Sequence, residues 1–219
     1  MWAVVPFKGS VGAKGRLSDH LSTTERQELV TNMLDDVLHA LTNSRLLKGI
    51  VIVSRASDAA EFATRYGVEL YADRANDLSG AVVEASAQVV DTYGATGTFF
   101  VPGDIPLITS DEIDAAIKSH REVTIIPDRN DIGTNGLLST PPNAFQYLFD
   151  GKSFKPHQVE AIRAGYQPQV LRLSGFSLDI DTIDELLELA RANQDIASLR
   201  YLKKSGIASR LFANDRGNE

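Results

Sequence analysis

The sequence predicts an α/β fold: a mostly parallel central sheet with helices on both faces. Three observations carry that reading. Short apolar runs of strand length alternate with longer amphipathic segments. The run Gly49-Ile50-Val51-Ile52-Val53 is almost wholly apolar, as a strand covered on both faces must be. Helix starts are marked by the capping-box pattern at Ser22-Thr23-Thr24-Glu25 and Thr109-Ser110-Asp111-Glu112.

In chain order, residues 3–6 form the first strand, followed by a polar loop and a helix whose Leu29, Met33, Val37 and Leu41 recur at helical spacing. Residues 49–53 form the second strand, 58–66 a helix and 68–71 a short strand, with 72–80 as loop. The spacing predicts a helix over 81–90 and a strand over 98–101, which Pro102, Gly103 and Pro106 bring to an end. A helix restarts at Thr109, and 123–126 is the next strand. Gly133, Gly136, Pro141, Pro142, Gly151 and Pro156 then mark 127–157 as an irregular lobe over one end of the sheet. Residues 158–164 read as helix, 169–173 and 176–181 as strands, 183–192 as helix and 196–211 as a helical tail. One domain is expected over 1–212, with 213–219 frayed. No internal repeat is visible.

Composition narrows the function. The 219 residues are 43% hydrophobic, enough for a sizeable core, and the net charge of −7 argues against a general binder of nucleic acid or anionic membrane. The absence of cysteine removes disulfides, thiolate nucleophiles, zinc–cysteine sites and iron–sulfur clusters. Residues 1–7 are too short for a secretory signal and no apolar run reaches membrane length, so a cytoplasmic protein is expected.

Two groups of residues point to chemistry. The loop Phe7-Lys8-Gly9-Ser10-Val11-Gly12-Ala13-Lys14-Gly15-Arg16-Leu17 holds three cations among three glycines. Glycines admit a phosphate chain close to backbone amides, and Lys8, Lys14 and Arg16 neutralise it. The loop lacks the Gly-Lys-Ser/Thr ending of a Walker loop and the Rossmann glycine spacing, and a merely solvated basic loop is the competing reading. The second group is Asp104 at the end of one strand with Asp179 and Asp181 at the end of another. Two residues apart on a strand, Asp179 and Asp181 share a face while Ile180 packs into the sheet. Magnesium takes one or two carboxylates plus phosphate oxygens, and manganese accepts the same set. Helix capping would account for Asp181 but not for Asp179 in an apolar strand. In the lobe, Gly133-Thr134-Asn135 and Gly151-Lys152-Ser153 are equally consistent with turns and with anion binding, and His157 reads as a packing or helix-start histidine.

These residues carry a resemblance. Pro6-x-Lys8, Ala13-Lys14-x-Arg16-Leu17, Val101-Pro102-Gly103-Asp104-x-Pro106-Leu107, Gly133-Thr134-Asn135, Phe149-x-Gly151-x-Ser153-Phe154-x-x-His157 and Leu178-Asp179-Ile180-Asp181-Thr182 resemble the guanylyltransferases of deazaflavin coenzyme biosynthesis, over residues 1 to about 185. The resemblance implies a glycosyltransferase-A-like, Rossmann-like nucleotidyltransferase fold. It also implies magnesium-dependent transfer of GMP from GTP to phospholactate, phosphoenolpyruvate or phosphoglycerate. Lys8, Lys14 and Arg16 would then hold the triphosphate, and Pro6, Gly12, Ala13, Leu78, Ser79, Pro102 and Gly103 the rest of the nucleotide. Thr134, Asn135, Gly151 and Ser153 would grip the acid, and Asp104, Asp179 and Asp181 one or two magnesium ions. Where the family shows Leu-Asn-x-Ala near the base pocket, this chain has Asp77-Leu78-Ser79-Gly80-Ala81. GTP and a small phosphorylated acid are the expected partners, and a homodimer is among the arrangements the sequence allows.

The expected mechanism is in-line attack of the acid's phosphate oxygen on the α-phosphorus, with no protein nucleophile or base. Rival readings are a sugar-phosphate or molybdopterin-type nucleotidyltransferase, a nucleotide-sugar glycosyltransferase and a non-catalytic nucleotide sensor.

Overall fold

The computed structural model describes residues 1–215, with side chains through Ala213. Its centre is a seven-stranded sheet, β1 (Trp2–Pro6), β2 (Gly49–Ser54), β3 (Glu69–Ala72), β4 (Thr98–Phe100), β5 (Val123–Pro127), β6 (Thr134–Ser139) and β7 (Gln169–Val170), in the order β3-β2-β1-β4-β6-β5-β7. Every neighbouring pair is parallel except those made by β6, which runs against both β4 and β5.

Alternation along the strands feeds two cores. Ala3, Val5, Ile50, Ile52, Phe99 and Leu138 point to one face, where α1 (Thr23–Thr42), α2 (Ala59–Tyr66), α4 (Ser110–Ser119), α6 (Ile183–Arg191), α7 (Ala197–Lys204) and α8 (Ile207–Asp215) cover them. Val4, Val51, Val53, Phe100, Ile125 and Leu137 point to the other, under α3 (Leu78–Tyr93) and α5 (Phe154–Arg163). Both capping boxes form as expected: Ser22 Oγ accepts from the Glu25 amide and Thr109 Oγ1 from the Glu112 amide.

The lobe expected over 127–157 is the main correction. It contains a central strand, β6, buried along its whole length, and the first residues of α5, which starts at Phe154 rather than 158. Gly136 explains why a turn-like composition makes a strand. A Cβ there would lie 2.9 Å from Ile126 Cδ1, so the β5–β6 approach at the Ile126/Pro127 bulge requires glycine.

Other boundaries also move. Helix α3 begins at Leu78, inside the expected loop, because Asp77 Oδ1 accepts the Gly80 amide as an N-cap. Strand β7 stops at Val170, and 176–181 is no ladder strand, although the alternation holds: Leu178 and Ile180 are buried while Asp179 and Asp181 face a cleft. The tail is two helices broken at Gly206, and α8 continues through residue 215; the rest of the expected frayed segment, 216–219, lies outside the described residues. No helix among the described residues is long and apolar enough to cross a membrane.

Candidate active site

The parallel strands β1, β2 and β4 end on the same side of the sheet, and the chain diverges between β1 and β4. A crevice outside such strand ends is where α/β sheets bind ligands. Two cavities open there. One, of about 320 Å³, lies among Pro6, Lys8, Arg55, Asp73, Asp77 and Leu78. The other, of about 330 Å³, lies among Arg16, Pro102, Asp104, Thr134, Ser153 and Asp179. Leu78 lines both, so they are neighbouring parts of one cleft. A larger cavity of about 790 Å³ lies between α1, α4 and residues 194–200 and contains none of the sequence-assigned site residues.

The loop after β1 is held at both ends. Near its start, Asp58 Oδ2 accepts the Ser10 amide (3.0 Å) and hydroxyl (2.8 Å), and Gly9 sits at φ 90° against Ala56 with no room for a Cβ. Further along, Lys14 Nζ bridges Asp104 Oδ2 (2.7 Å) and Asp181 Oδ1 (2.8 Å). Lys14 is therefore no solvated loop cation; its side chain is only 9% exposed. Its backbone lies at φ 52°, a left-handed conformation that costs a non-glycine residue energy and that the two ion pairs hold. Burial works against its charge, but Asp104 and Asp181 carry its pKa above the usual ammonium range. Arg16 approaches Asp181 at 3.7 Å and is largely exposed, and Lys8 lines the first cavity. Gly12 is open and exposed at φ 73°, while Ala13 packs on the core and donates its amide to the Ser10 carbonyl.

The three aspartates converge on the second cavity. Burial alone would raise the Asp181 pKa, but Lys14 and then Arg16 hold it below the usual carboxylate range. Capping is not its role: the N-cap of α6 is Thr182, in a capping box with Glu185, whose Oε2 accepts the amides of Asp181 (2.8 Å) and Thr182 (2.7 Å). Among the described residues, Asp179 has no cation partner. Burial pushes its pKa up, the Asn135 hydrogen bond opposes this, and the nearby Asp104 and Asp181 add to the rise. Among the described residues, no three His, Cys, Asp or Glu side chains close a metal cage by themselves. The donor set nevertheless fits a hard divalent cation shared with phosphate oxygens: a carboxylate lacking a counter-ion, with two more beside it.

The lobe residues have internal tasks. Asn135 Nδ2 donates to the Phe176 carbonyl (2.9 Å) and to Asp179 Oδ1 (3.1 Å), so this side chain aims Asp179 as well as lining the cleft. His157 is wholly buried among Phe145, Tyr147 and Phe149. Its Nε2 accepts the Leu148 amide, so Nδ1 carries the proton and donates to Thr134 Oγ1 (3.0 Å). Ser79 Oγ accepts the Phe149 amide (2.8 Å), tying α3 to the same segment. Gly151 and the buried Ser153 line the cleft at the start of α5; Gly103 packs between Leu34 and the Pro6 carbonyl. Sequence reasoning missed Asp58, Asn135's hold on Asp179, and Glu185. Only Glu185 had a local signal, the Thr182-x-x-Glu185 capping pattern.

Burial lowers the His157 pKa to about 4, and His120 likewise to about 4. Both titrate near 6.5 in the unfolded chain, which therefore binds protons that the native state refuses as pH falls. Their stabilisation is full above pH 6.5 and declines from there to about pH 4, by ~3 kcal/mol for the buried His157 and by less for His120, which solvent partly screens. In urea unfolding at pH 7 and pH 4.5, His157→Gln should show a smaller pH-dependent loss than the wild type. An equal loss in both would contradict a buried neutral His157.

With this geometry in place, the family model "Guanylyl transferase CofC like" matches residues 1–217. The chain belongs to that family. Among curated relatives, it is 35% identical to the phosphoenolpyruvate guanylyltransferase of Roseiflexus castenholzii, covering 93% of this chain and 94% of that one. It is 30% identical to the 2-phospho-L-lactate guanylyltransferase of Methanocaldococcus jannaschii, covering 94% and 90%. A solved Desulfovibrio desulfuricans chain described as a nucleotide-diphospho-sugar transferase superposes with a TM-score of 0.80 at 18% identity, covering 96% and 97%. A nucleotidyl transferase from Methanothermobacter gives 0.64 at 14% identity, covering 86% and 94%. The fold is thus that of the nucleotidyltransferases, and this CofC-like chain is an enzyme of the guanylyltransferase kind.

Proposed function

We propose that this protein transfers GMP from GTP to a small phosphorylated acid and releases pyrophosphate, within deazaflavin coenzyme biosynthesis. Phosphoenolpyruvate and 2-phospholactate are the favoured acceptors, because relatives at 30–36% identity carry those names; 3-phosphoglycerate offers the same phosphate and carboxylate. The single observation that supports this most is the two-part cleft. Its first cavity carries Lys8, its second carries the three aspartates and the start of α5, and the cationic loop borders both.

In this reading Lys8, Lys14 and Arg16 bind the triphosphate, and Pro6 and Leu78 flank the nucleoside. Gly151, Ser153 and the amide end of α5 hold the acid, with Thr134 fixed behind them by His157. Asn135 and Glu185 keep Asp179 and Asp181 aimed. An oxygen of the acceptor phosphate bonds to the α-phosphorus as the bond to the departing pyrophosphate breaks. That phosphate is ionised near neutral pH, so no side chain has to remove a proton, and positioning with charge neutralisation carries the rate. Magnesium, held by Asp179 with Asp104 and Asp181 and by phosphate oxygens, would neutralise charge on the transferring group; manganese suits the same donors.

Pyrophosphate release should be measured with GTP, ATP, CTP and UTP in turn, each offered with the three phospho-acids and with hexose phosphates. GTP with a phospho-acid should dominate. Turnover chiefly with a hexose phosphate would move the enzyme to the sugar-phosphate class.

A further inference from the structure

We propose that Asp77 is the residue that selects guanine, an inference that rests on the first cavity being the nucleoside site. The base must be told apart there by groups of one hydrogen-bonding sense, since a side chain that both donates and accepts, such as Asn76, tolerates either. Lys8 and Arg55 are donors only and both are engaged elsewhere, Lys8 on the triphosphate in the proposed function and Arg55 on Asp73 and the Ala75 carbonyl. The acceptor-only groups are Asp73 and Asp77. Asp73 is consumed: its Oδ2 takes the Arg55 guanidinium (2.9 and 3.2 Å) and its Oδ1 the Ala75 amide (2.9 Å). Asp77 uses only Oδ1, which accepts the Gly80 amide at 2.7 Å to cap α3. Among the described residues Oδ2 has no hydrogen-bond or ion-pair partner, on an exposed residue lining the cavity beside Leu78.

A carboxylate oxygen there complements guanine, which presents N1–H and the N2 amino group side by side. It opposes adenine, whose N1 is an acceptor. Binding of ATP would set lone pair against charge, a penalty that a neutral residue would not impose. The α3 cap supplies the restraint: Oδ1 is held by the Gly80 amide, which limits rotation of the carboxylate. It also makes the test clean. In Asp77→Asn the Gly80 amide retains Oδ1, which leaves Nδ2, a donor, where the charged acceptor was, and Asn caps helices as well as Asp. A donor matches xanthine, which carries an oxygen at position 2.

Dissociation constants and kcat/KM should be measured for GTP, XTP and ATP on the wild type and on Asp77→Asn. The variant should keep its melting temperature while its preference for GTP over XTP falls by at least tenfold, approaching ~100-fold. Asp77→Ser, which can still cap but is too short to reach, should lose GTP without gaining XTP. A GTP:XTP ratio that changes by less than about tenfold in Asp77→Asn overturns the assignment of Asp77 while leaving GTP as donor. A wild type that prefers ATP overturns both.

Discussion

Asp179→Asn is expected to abolish turnover, by ~1,000-fold or more, while leaving the metal-free melting temperature unchanged or higher. The two effects diverge because this carboxylate is a liability in the empty protein. It is half-buried and has no cation partner among the described residues, and burial with Asp104 and Asp181 nearby holds its pKa up. The asparagine can still accept the Asn135 hydrogen bond through Oδ1, so local packing survives. What it loses is affinity for a divalent cation. The rise in melting temperature on adding magnesium and GTP should shrink accordingly. A clear drop in metal-free stability with catalysis largely retained would show that Asp179 is structural, and most of the proposed mechanism would go with it.

Lys14→Ala should do the opposite to the empty protein. Read as a solvated loop residue, Lys14 would be removable with little loss of fold; the ion pairs at 2.7 and 2.8 Å change that expectation. Without the ammonium, Asp104 and Asp181 face each other and Asp179 with only the exposed Arg16 nearby. Removing one partner of a buried pair costs 3–5 kcal/mol in general, but these aspartates are 32% and 42% exposed, so about 2 kcal/mol is expected. GTP binding should weaken as well. Added magnesium should recover much of the lost stability, since it supplies the missing positive charge. Calorimetric melting with and without magnesium decides the matter: a variant as stable as wild type in the absence of metal would mean that the two ion pairs contribute nothing.

The two variants separate roles that the local sequence joins. Lys14 was legible as a cation in a glycine-rich loop, and Asp104, Asp179 and Asp181 as strand-end carboxylates, because charge and spacing are local properties. That one residue of the loop neutralises two of the three carboxylates joins positions 90 and 167 residues apart. No local pattern encodes that.

The same division runs through the fold. The sequence by itself determined the parallel core of β1, β2 and β4, the helices opened by Ser22 and Thr109, and the site loop after β1. Each rests on short-range physics: apolar periodicity, caps and the stiffness of proline. It also determined the family: the motifs that carry the resemblance are local in sequence, and the CofC-like match spans residues 1–217. Only the tertiary structure decided that Thr134 to Ser139 is a buried antiparallel strand. Thr134, Asn135 and Gly136 are turn formers by composition, and they become strand through remote partners: His157 for the threonine hydroxyl, the Phe176 carbonyl for the asparagine amide and Ile126 against the glycine. A ladder between strands can outweigh local preference once distant chain supplies the hydrogen bonds. In the same way, tertiary packing turned Asn135 into the support of Asp179 and placed Asp77, the N-cap of α3, in the lining of the cavity beside Lys8.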